Sequence, residues 1–196
     1  KRTGRNVVLD ITQIGNPVLR EICEEVPEDV LEQDDFQAFI DDLIETKRHA
    51  NGAGIAAPQV GEPFRIFVVE VKNNPRYPYK PEAELTVCVN PKITFLTDER
   101  FENYEGCLSI PDLRGKVPRC PHIRVEALDR HGKAFTREVK GITAGTFQHE
   151  FDHIDGILFP DRVTDPHTLS TWNEFKERHE DGVRVEVEAI VAKWGE

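Results

Sequence analysis

Two histidines and a glutamate within residues 148–159 have the types and spacing of a metal site. The segment reads QHEFDHIDGILF, in which His149, Glu150 and His153 form the pattern H-E-x-x-H. On a helix, side chains four residues apart lie on one face, so the two histidines can bind one ion. Glu150 is placed to reach a water molecule at that ion and to move its proton. The pattern is typical of metalloproteases.

A catalytic ion of this kind needs a third protein ligand and an open position for water. One class of metalloproteases places that ligand in the extension H-x-x-G-x-x-H, but the final position here is Phe159. Two other residues are candidates. Cys107, in YEGCLSIP at the end of a predicted strand, would supply a thiolate. Glu174, on a predicted helix, would supply a carboxylate, as in proteases that use two His and one Glu. The residue types alone leave both open.

The stretch GAGIAAPQ, residues 52–59, is a candidate substrate-binding loop. Gly52 and Gly54 have no side chain, so a substrate backbone can approach the protein backbone closely. The amide group of Gln59 is an uncharged donor suited to a developing oxyanion. The alternative is a tight loop whose small residues only save space. It is not a phosphate-binding loop, because no Gly-Lys-Ser/Thr follows.

The hydrophobic pattern predicts the elements that must position these residues. Helices are predicted at 36–50, with Asp34 or Asp35 as N-cap, at about 143–155 around the H-E-x-x-H segment, and at 169–180. Strands are predicted at 65–71, 87–96, 100–108, 123–128, 134–139 and, from the alternating sequence VRVEVEAIV, at 183–191. The stretches 24–35 and 73–84 are predicted to be loops. Because strands come in runs instead of alternating with helices, the predicted fold class is α+β.

Composition limits the classes of function. The chain has 196 residues, 38% of them hydrophobic, which fits one globular domain. A net charge of −11 argues against a broad nucleic-acid or anionic-membrane surface. No apolar run approaches the roughly 18 residues of a membrane helix. Four cysteines without a C-x-x-C pair suggest a reducing compartment and, for most of them, core positions. The basic residues 1–5 are expected to be a loose end and not a targeting signal.

Taken together, three segments resemble the peptide deformylase family. They are GAGIAAPQ (52–59), EGCLS (105–109) and QHEFDHIDG (148–156), and they match the family motifs G-x-G-x-A-A-x-Q, E-G-C-x-S and Q-H-E-x-D-H-x-x-G in order. The resemblance covers about residues 8–166 of a single domain spanning 1–196. It implies an α+β fold with antiparallel sheets packed around a central HExxH helix. An N-terminal helix and a C-terminal helix/strand segment complete the expected architecture.

The resemblance also implies a role for each site residue. Cys107 is then the third metal ligand, beside His149 and His153. Glu150 is the general acid/base. Oxyanion donors are Gln59 and the backbone N–H of Leu108. Substrate binding falls to Gly54, Arg114 and Glu105. Arg119 and Asp152 either form an ion pair that supports the helix or are solvated charges. Ala53 stands where the family often has a larger apolar residue, so it widens the methionine pocket or leaves a neighbour to fill it.

The implied reaction is metal-dependent removal of the formyl group from the N-terminal N-formylmethionine of new polypeptides, releasing formate. One divalent ion is expected, with Fe(II) as the native metal and Zn, Ni or Co able to replace it. The alternative is an HExxH metallopeptidase with Glu174 as third ligand.

The expected partners are an N-formyl-Met peptide as substrate and the ribosome, with no direct DNA contact and no membrane. The sequence does not fix the oligomeric state, and a monomer is favoured. The expected location is a bacterial cytoplasm, or an organellar matrix or stroma if a transit peptide has been removed.

Overall fold

The computed structural model describes residues 6–196, so residues 1–5, expected to be a loose end, lie outside the described residues. The strands of this part are β1 (Gly54–Ala56), β2 (Ile66–Val71), β3 (Ala83–Phe95), β4 (Phe101–Cys107), β5 (Ile110–Arg119), β6 (His122–Leu128) and β7 (Ala134–Lys140). Its α-helices are α1 (Glu28–Leu31), α2 (Asp34–His49), α3 (Gly141–Ile154), α4 (Phe159–Arg162), α5 (Trp172–Arg178) and α6 (Glu180–Trp194). Short 3-10 turns lie at Pro17–Arg20, Ala57–Val60 and Pro166–Thr168.

The strands form two antiparallel sheets. One has five strands in the order β1-β2-β3-β6-β7, and the other is the hairpin β4-β5. Every pairing within them is antiparallel, which confirms the predicted α+β class. None of the helices in residues 6–196 is both long and apolar enough to cross a membrane.

Helix α3 lies at the centre of the molecule. Nearly all of its side chains are buried, and Phe147 and Ile154 belong to the same apolar cluster as Phe67 and Val69 of β2. The rings of Phe67 and Phe147 meet edge to face with their centroids 6.0 Å apart. A helix held by apolar contacts on this scale is rigid, so the polar side chains on its remaining face are positioned accurately. The prediction of a central HExxH helix is confirmed.

The predicted strand at 183–191 is wrong, because this tail is part of helix α6. Its valines alternate with charged residues, which imitates the period of a strand. In the structure Val183 and Val187 are buried against Phe175 and Ile142, whereas Val185 between them is 65% exposed. Residues four apart share one face of a helix, so the valines at 183 and 187 face the core together. Tertiary contact with α3 and α5 therefore decides the conformation of a locally ambiguous sequence.

Other boundaries also differ from the predictions. The helix predicted at 169–180 is the short α5, whose N-cap side chain is Thr171, followed directly by α6. Helix α2 begins after Gln33, so Asp34 and Asp35 lie in its first turn and do not cap it. The sequence analysis missed α1 within 24–35, β1 within the glycine-rich loop, and all of β5. Strand β5 contains Pro111, Asp112, Gly115 and Pro118, which weaken a strand pattern.

Candidate metal centre

Three side chains from α3 and β4 converge in the interior. His149 and His153 lie one turn apart on α3, with ring centroids separated by 5.0 Å. Cys107 ends β4, where the register against β5 shifts between Gly106 and Cys107. Such an irregularity re-aims a side chain, and the Sγ atom lies 3.3 Å from Nε2 of His153. One ligand atom from each residue lies within 4.8 Å of the others.

These residues fit a divalent transition-metal ion. A thiolate and two imidazoles are a donor set that such ions prefer, and three protein ligands leave a position open for water. His153 is buried, and burial lowers its pKa well below the usual range, which keeps the ring neutral as a metal ligand must be. Its Nδ1 atom has no hydrogen-bond partner within residues 6–196. Cys107, His149 and His153 are therefore a group of residues that could hold a metal ion.

The ring of His149 is oriented by a buried carboxylate. Its Nδ1 lies 2.7 Å from Oε1 of Glu105, so Nε2 remains for the ion. Burial opposes charge on this ring, but contacts with Cys107 and Glu105 outweigh it and raise the pKa of His149. The Glu105 carboxylate is itself stabilised as an anion, because Arg119 and His149 overcome its burial and lower its pKa. Glu105 therefore fixes one ring orientation.

A buried network of charges extends from Glu105 to the surface. Arg119 donates to both oxygens of Glu105 at 2.7 and 2.9 Å. It also donates to Asp152 at 2.7 Å. Asp152 in turn accepts two hydrogen bonds from Arg162, at 2.7 and 2.8 Å. The ion pair between Arg119 and Asp152 is therefore present, and the reading of these residues as solvated charges is wrong.

Glu150 faces the metal site from α3. Its side chain is 3% exposed, and Oε2 has no hydrogen-bond partner among the described residues. Burial raises the pKa of Glu150 to about 7, although a cation at the neighbouring ligands would oppose this shift. A carboxyl group of this kind can both take and give a proton near neutral pH. Gly54 makes room for it, because a Cβ atom there would lie 2.6 Å from Oε1 of Glu150.

Gln59 is held beside the metal ligands by its own loop. Its Oε1 accepts from the backbone N–H of Ala56 at 3.0 Å, which fixes the orientation of the amide. Its Nε2 donates to Ser109 Oγ at 3.1 Å and lies 3.6 Å from Sγ of Cys107. Leu108 follows Cys107 and lines the same cavity. The predicted oxyanion donors are thus brought to one place beside the candidate ligands.

The cavity at this centre also has a wall that the sequence analysis missed. Arg76, Tyr77 and Lys80 line it, and they come from the stretch 73–84 that was predicted to be a surface loop. Asn103 of β4 and Thr146 of α3 line the same cavity. The aromatic residues in the stretch NPRYPYKP were the signal that it packs against the protein. Tyr77 shares a buried cluster with Ala53, so a neighbour occupies space beside this small residue.

Arg114 lies outside the cavity lining. It is 1% exposed, and its guanidinium group lies 3.8 Å from the ring centre of Trp172 and 4.7 Å from that of Tyr77. It donates to the hydroxyl of Tyr79 at 3.1 Å and to the carbonyl of Arg76 at 3.2 Å. These contacts join α5 to the loop that carries the cavity wall.

Glu174 is not near the metal site's ligand group. It lies on α5, its side chain is 52% exposed, and it accepts from Arg178 at 2.6 Å. The group of possible ligands formed by the described residues contains Cys107 and does not contain Glu174. The metallopeptidase alternative is therefore not favoured.

Comparison with known proteins decides the family. Residues 8–168 match the family model described as polypeptide deformylase. The chain belongs to the polypeptide deformylase family.

Individual deformylases match most of the chain. It is 46% identical over 170 residues to peptide deformylase 2 of a Nostoc species, covering 87% of this chain and 94% of that protein. It superposes on a Met-Ala-Ser-bound class I type b peptide deformylase from Acinetobacter baumannii with a TM-score of 0.78 and 38% identity, covering 81% of this chain and 100% of that one.

A second deformylase structure matches the whole chain, including its C-terminal helices. It is a complex of the Synechococcus elongatus enzyme with actinonin, with a TM-score of 0.71, 27% identity and 100% of this chain covered, against 92% of that one. The protein is an enzyme that removes the N-terminal formyl group from newly made polypeptides. The resemblance inferred from the three motifs is confirmed.

Proposed function

We propose that the chain hydrolyses the formyl group of N-formyl-Met peptides with a defined division of roles among its residues. The observation that carries this proposal is the convergence of Cys107, His149 and His153 within 4.8 Å, beside a buried Glu150 carboxyl oxygen that has no partner among the described residues. A structural metal site is normally closed by four protein ligands, whereas this one has three and a proton-transfer group at its open side.

In this proposal Cys107, His149 and His153 hold the ion. When bound, the ion polarises the formyl carbonyl and makes water a better nucleophile at neutral pH. Fe(II) is proposed as the native metal, with Zn, Ni or Co able to replace it, because a thiolate softens the site. This choice of metal rests on the donor set of the chain, one thiolate and two imidazoles.

Glu150 takes a proton from the attacking water and delivers it to the leaving amine. Its carboxyl group is buried, and its unpartnered oxygen needs no rearrangement before it accepts that proton. Gln59 Nε2 and the backbone N–H of Leu108 stabilise the oxyanion that develops on the formyl oxygen. Losing one such donor typically lowers kcat by about 10²–10³-fold.

Substrate binding is proposed along β1 and the cavity. Gly54 lets the peptide backbone pass beside Glu150, since a Cβ atom at this position would collide with that carboxyl group. The bound Met-Ala-Ser in the Acinetobacter baumannii structure supports a peptide that begins with methionine. Both oxygens of Glu105 are engaged by Arg119, so we propose that it acts on substrate only by orienting His149. Arg114 is proposed to act by holding the loop around Arg76.

The cellular setting is proposed from the relatives and the charge. We place the protein in a bacterial cytoplasm as a monomer of one domain, acting on chains that emerge from the ribosome. The net charge of −11 argues against broad contact with ribosomal RNA, so any association would use a small surface.

The test is formate release from N-formyl-Met-Ala-Ser, measured anaerobically with iron- or nickel-loaded protein. N-acetyl-Met-Ala-Ser is the control, because the same peptide with one extra methyl group should be a poor substrate. Rapid release from the formyl peptide supports the proposal. No release by protein carrying one ion per chain would overturn it.

The ligand assignment has its own test. Cys107→Ala should lose the ion during dialysis, and Glu174→Ala should retain it like the unmodified protein. Retention by Cys107→Ala together with loss by Glu174→Ala would instead identify a peptidase-type site.

A further inference from the structure

The cavity beside the metal ligands has a polar wall. On the α3 side it is lined by Thr146, and on the β4 side by Asn103. Between them the loop from β2 to β3 contributes Tyr77 and Lys80. Gly145 keeps this region open to Asn103, because a Cβ atom on Gly145 would lie 3.1 Å from its Nδ2. A recess lined by an amide, a hydroxyl and an ammonium group is too polar to suit a purely apolar ligand.

Lys80 has hydrogen-bonding capacity that the described residues do not use. Its Nζ donates to Thr146 Oγ1 at a long 3.4 Å and lies 4.3 Å from the ring centre of Tyr77. Within residues 6–196 it forms no ion pair with a carboxylate. An ammonium group carries three donors, and the long contact with Thr146 uses only one of them, so Lys80, which lines the cavity, keeps donors for a ligand. Burial lowers the pKa of Lys80, and the charges of Glu105 and Glu150 oppose that shift.

The position of Lys80 relative to the reacting atoms indicates what it would meet. Thr146, which Lys80 contacts, lies one helical turn before His149 and Glu150 on α3. In the substrate position proposed above, the formyl group is at the metal ligands and the peptide backbone runs along Gly54. The recess that contains Lys80 is part of the same cavity, so it is the part of the site that the first side chain of the substrate would meet.

We propose that Lys80 is a specificity-determining residue that donates a hydrogen bond to an acceptor at the end of the substrate's first side chain. This inference rests on the function proposed above. The favoured class is formyl peptides whose first residue carries a strong terminal acceptor, such as the sulfoxide oxygen of oxidised methionine. A methionine thioether is a weak acceptor, and norleucine, of similar shape, has none. An apolar end would leave the partly buried ammonium donors without a partner, which is unfavourable.

The test compares kcat/KM for formate release from three N-formyl-X-Ala-Ser peptides, with X as methionine, norleucine or methionine sulfoxide. The quantity of interest is the sulfoxide-to-norleucine ratio within one protein sample, because the fraction of folded, metal-loaded enzyme cancels from it. We expect Lys80→Met to lower this ratio by about 10- to 100-fold, the usual scale for a hydrogen bond to a charged group. Lys80→Arg, which keeps a charged donor, should retain most of it.

Lys72→Met is the matched control, since Lys72 is exposed and does not line this cavity. Its ratio should equal that of the unmodified protein. An unchanged ratio in Lys80→Met would overturn the role of Lys80. Formate release from the methionine peptide in the same experiment would still support the proposed function. Absence of release from all three peptides would overturn both. If Lys80→Met does not fold, Lys80→Leu removes the same donor and charge, and an unchanged ratio there is equally contrary.

Discussion

The proposed metal ligand His149 is oriented by a carboxylate that solvent hardly reaches. Glu105 is 3% exposed, and its oxygens are shared between Nδ1 of His149 and the guanidinium group of Arg119. Loss of a group that orients a metal-bound histidine typically lowers metal affinity by about 10- to 100-fold.

Glu105→Gln should weaken metal binding by about 10- to 100-fold, because the amide no longer fixes the ring with a charged acceptor. The measurement is competition with a chelator, at a temperature well below unfolding. Removing one partner of a buried ion pair also costs about 3–5 kcal/mol of stability, so the midpoint of thermal unfolding should fall.

The control is Glu138→Gln. Glu138 also contacts a histidine and an arginine, His122 and Arg124, but it lies at the surface. Its amide variant should bind the ion normally. Equal affinities for all three proteins would show that Glu105 does not orient the ligand.

Among the elements, helix α6 shows how a short-range pattern can mislead. A strand over 183–191 would place Val183, Val185 and Val187 on one face. The helix instead buries Val187 at 6% exposure and leaves Val185 at 65%. The apolar face of this helix continues to Ile190 and Val191, which pack on the same apolar cluster as Val183 and Val187.

Val187→Ala should therefore destabilise the protein by about 1–2 kcal/mol, through lost apolar burial and a small cavity. Val185→Ala should change stability by less than about 0.5 kcal/mol, as expected for an exposed position. Urea unfolding followed by circular dichroism measures both. Equal losses at the two positions would favour the strand and contradict the helix.

An ion-pair cluster joins α2 to β2 and gives stability a defined dependence on pH. Glu70 accepts from Arg48 at 2.8 Å and from the buried Lys47 at 2.9 Å. Hydrogen bonding to Arg48 is the largest cause that lowers the pKa of Glu70, from 4.5 to about 2. A lowered pKa means that the stabilisation is complete above the unfolded pKa and is lost as pH falls through the folded value.

Glu70→Gln should therefore be less stable than the unmodified protein at pH 7, by about 1–3 kcal/mol. The difference should shrink as pH falls from about 4.5 to about 2. Unfolding free energies across this range measure it, with the exposed Glu84→Gln as control. A difference that stays constant with pH would contradict the ionic origin of the effect.

At the level of the whole molecule, the site combines segments that lie far apart in the sequence. The runs of strands were enough to predict the α+β class. The antiparallel sheets, the central helix and the meeting of residues 52–59, 105–109 and 148–156 were implied by the resemblance of three ordered motifs to a known family. The residue types alone left both Cys107 and Glu174 open as the third ligand. The resemblance favoured Cys107, and the packing brings Cys107, and not Glu174, to the two histidines.

The remaining parts of the site could not be predicted from local pattern. Lys80 and Tyr77 lie in a proline-rich stretch without periodicity, and only their packing against Ala53 and Thr146 makes them part of the cavity. Arg114, which the resemblance assigned to substrate binding, is enclosed by Trp172 and Phe175. Contacts of this kind depend on the fold of distant segments and leave no periodic signal.

The central claim is that Glu150 moves the proton at an ion held by Cys107, His149 and His153. The most direct measurement is formate release from N-formyl-Met-Ala-Ser by Glu150→Gln, together with the metal content of the same sample. Glu188→Gln, on the exposed side of α6, is the control and should match the unmodified protein. We predict that Glu150→Gln retains one ion per chain and loses about 10²–10⁴-fold in kcat. Formate release at the unmodified rate by metal-loaded Glu150→Gln would contradict the account.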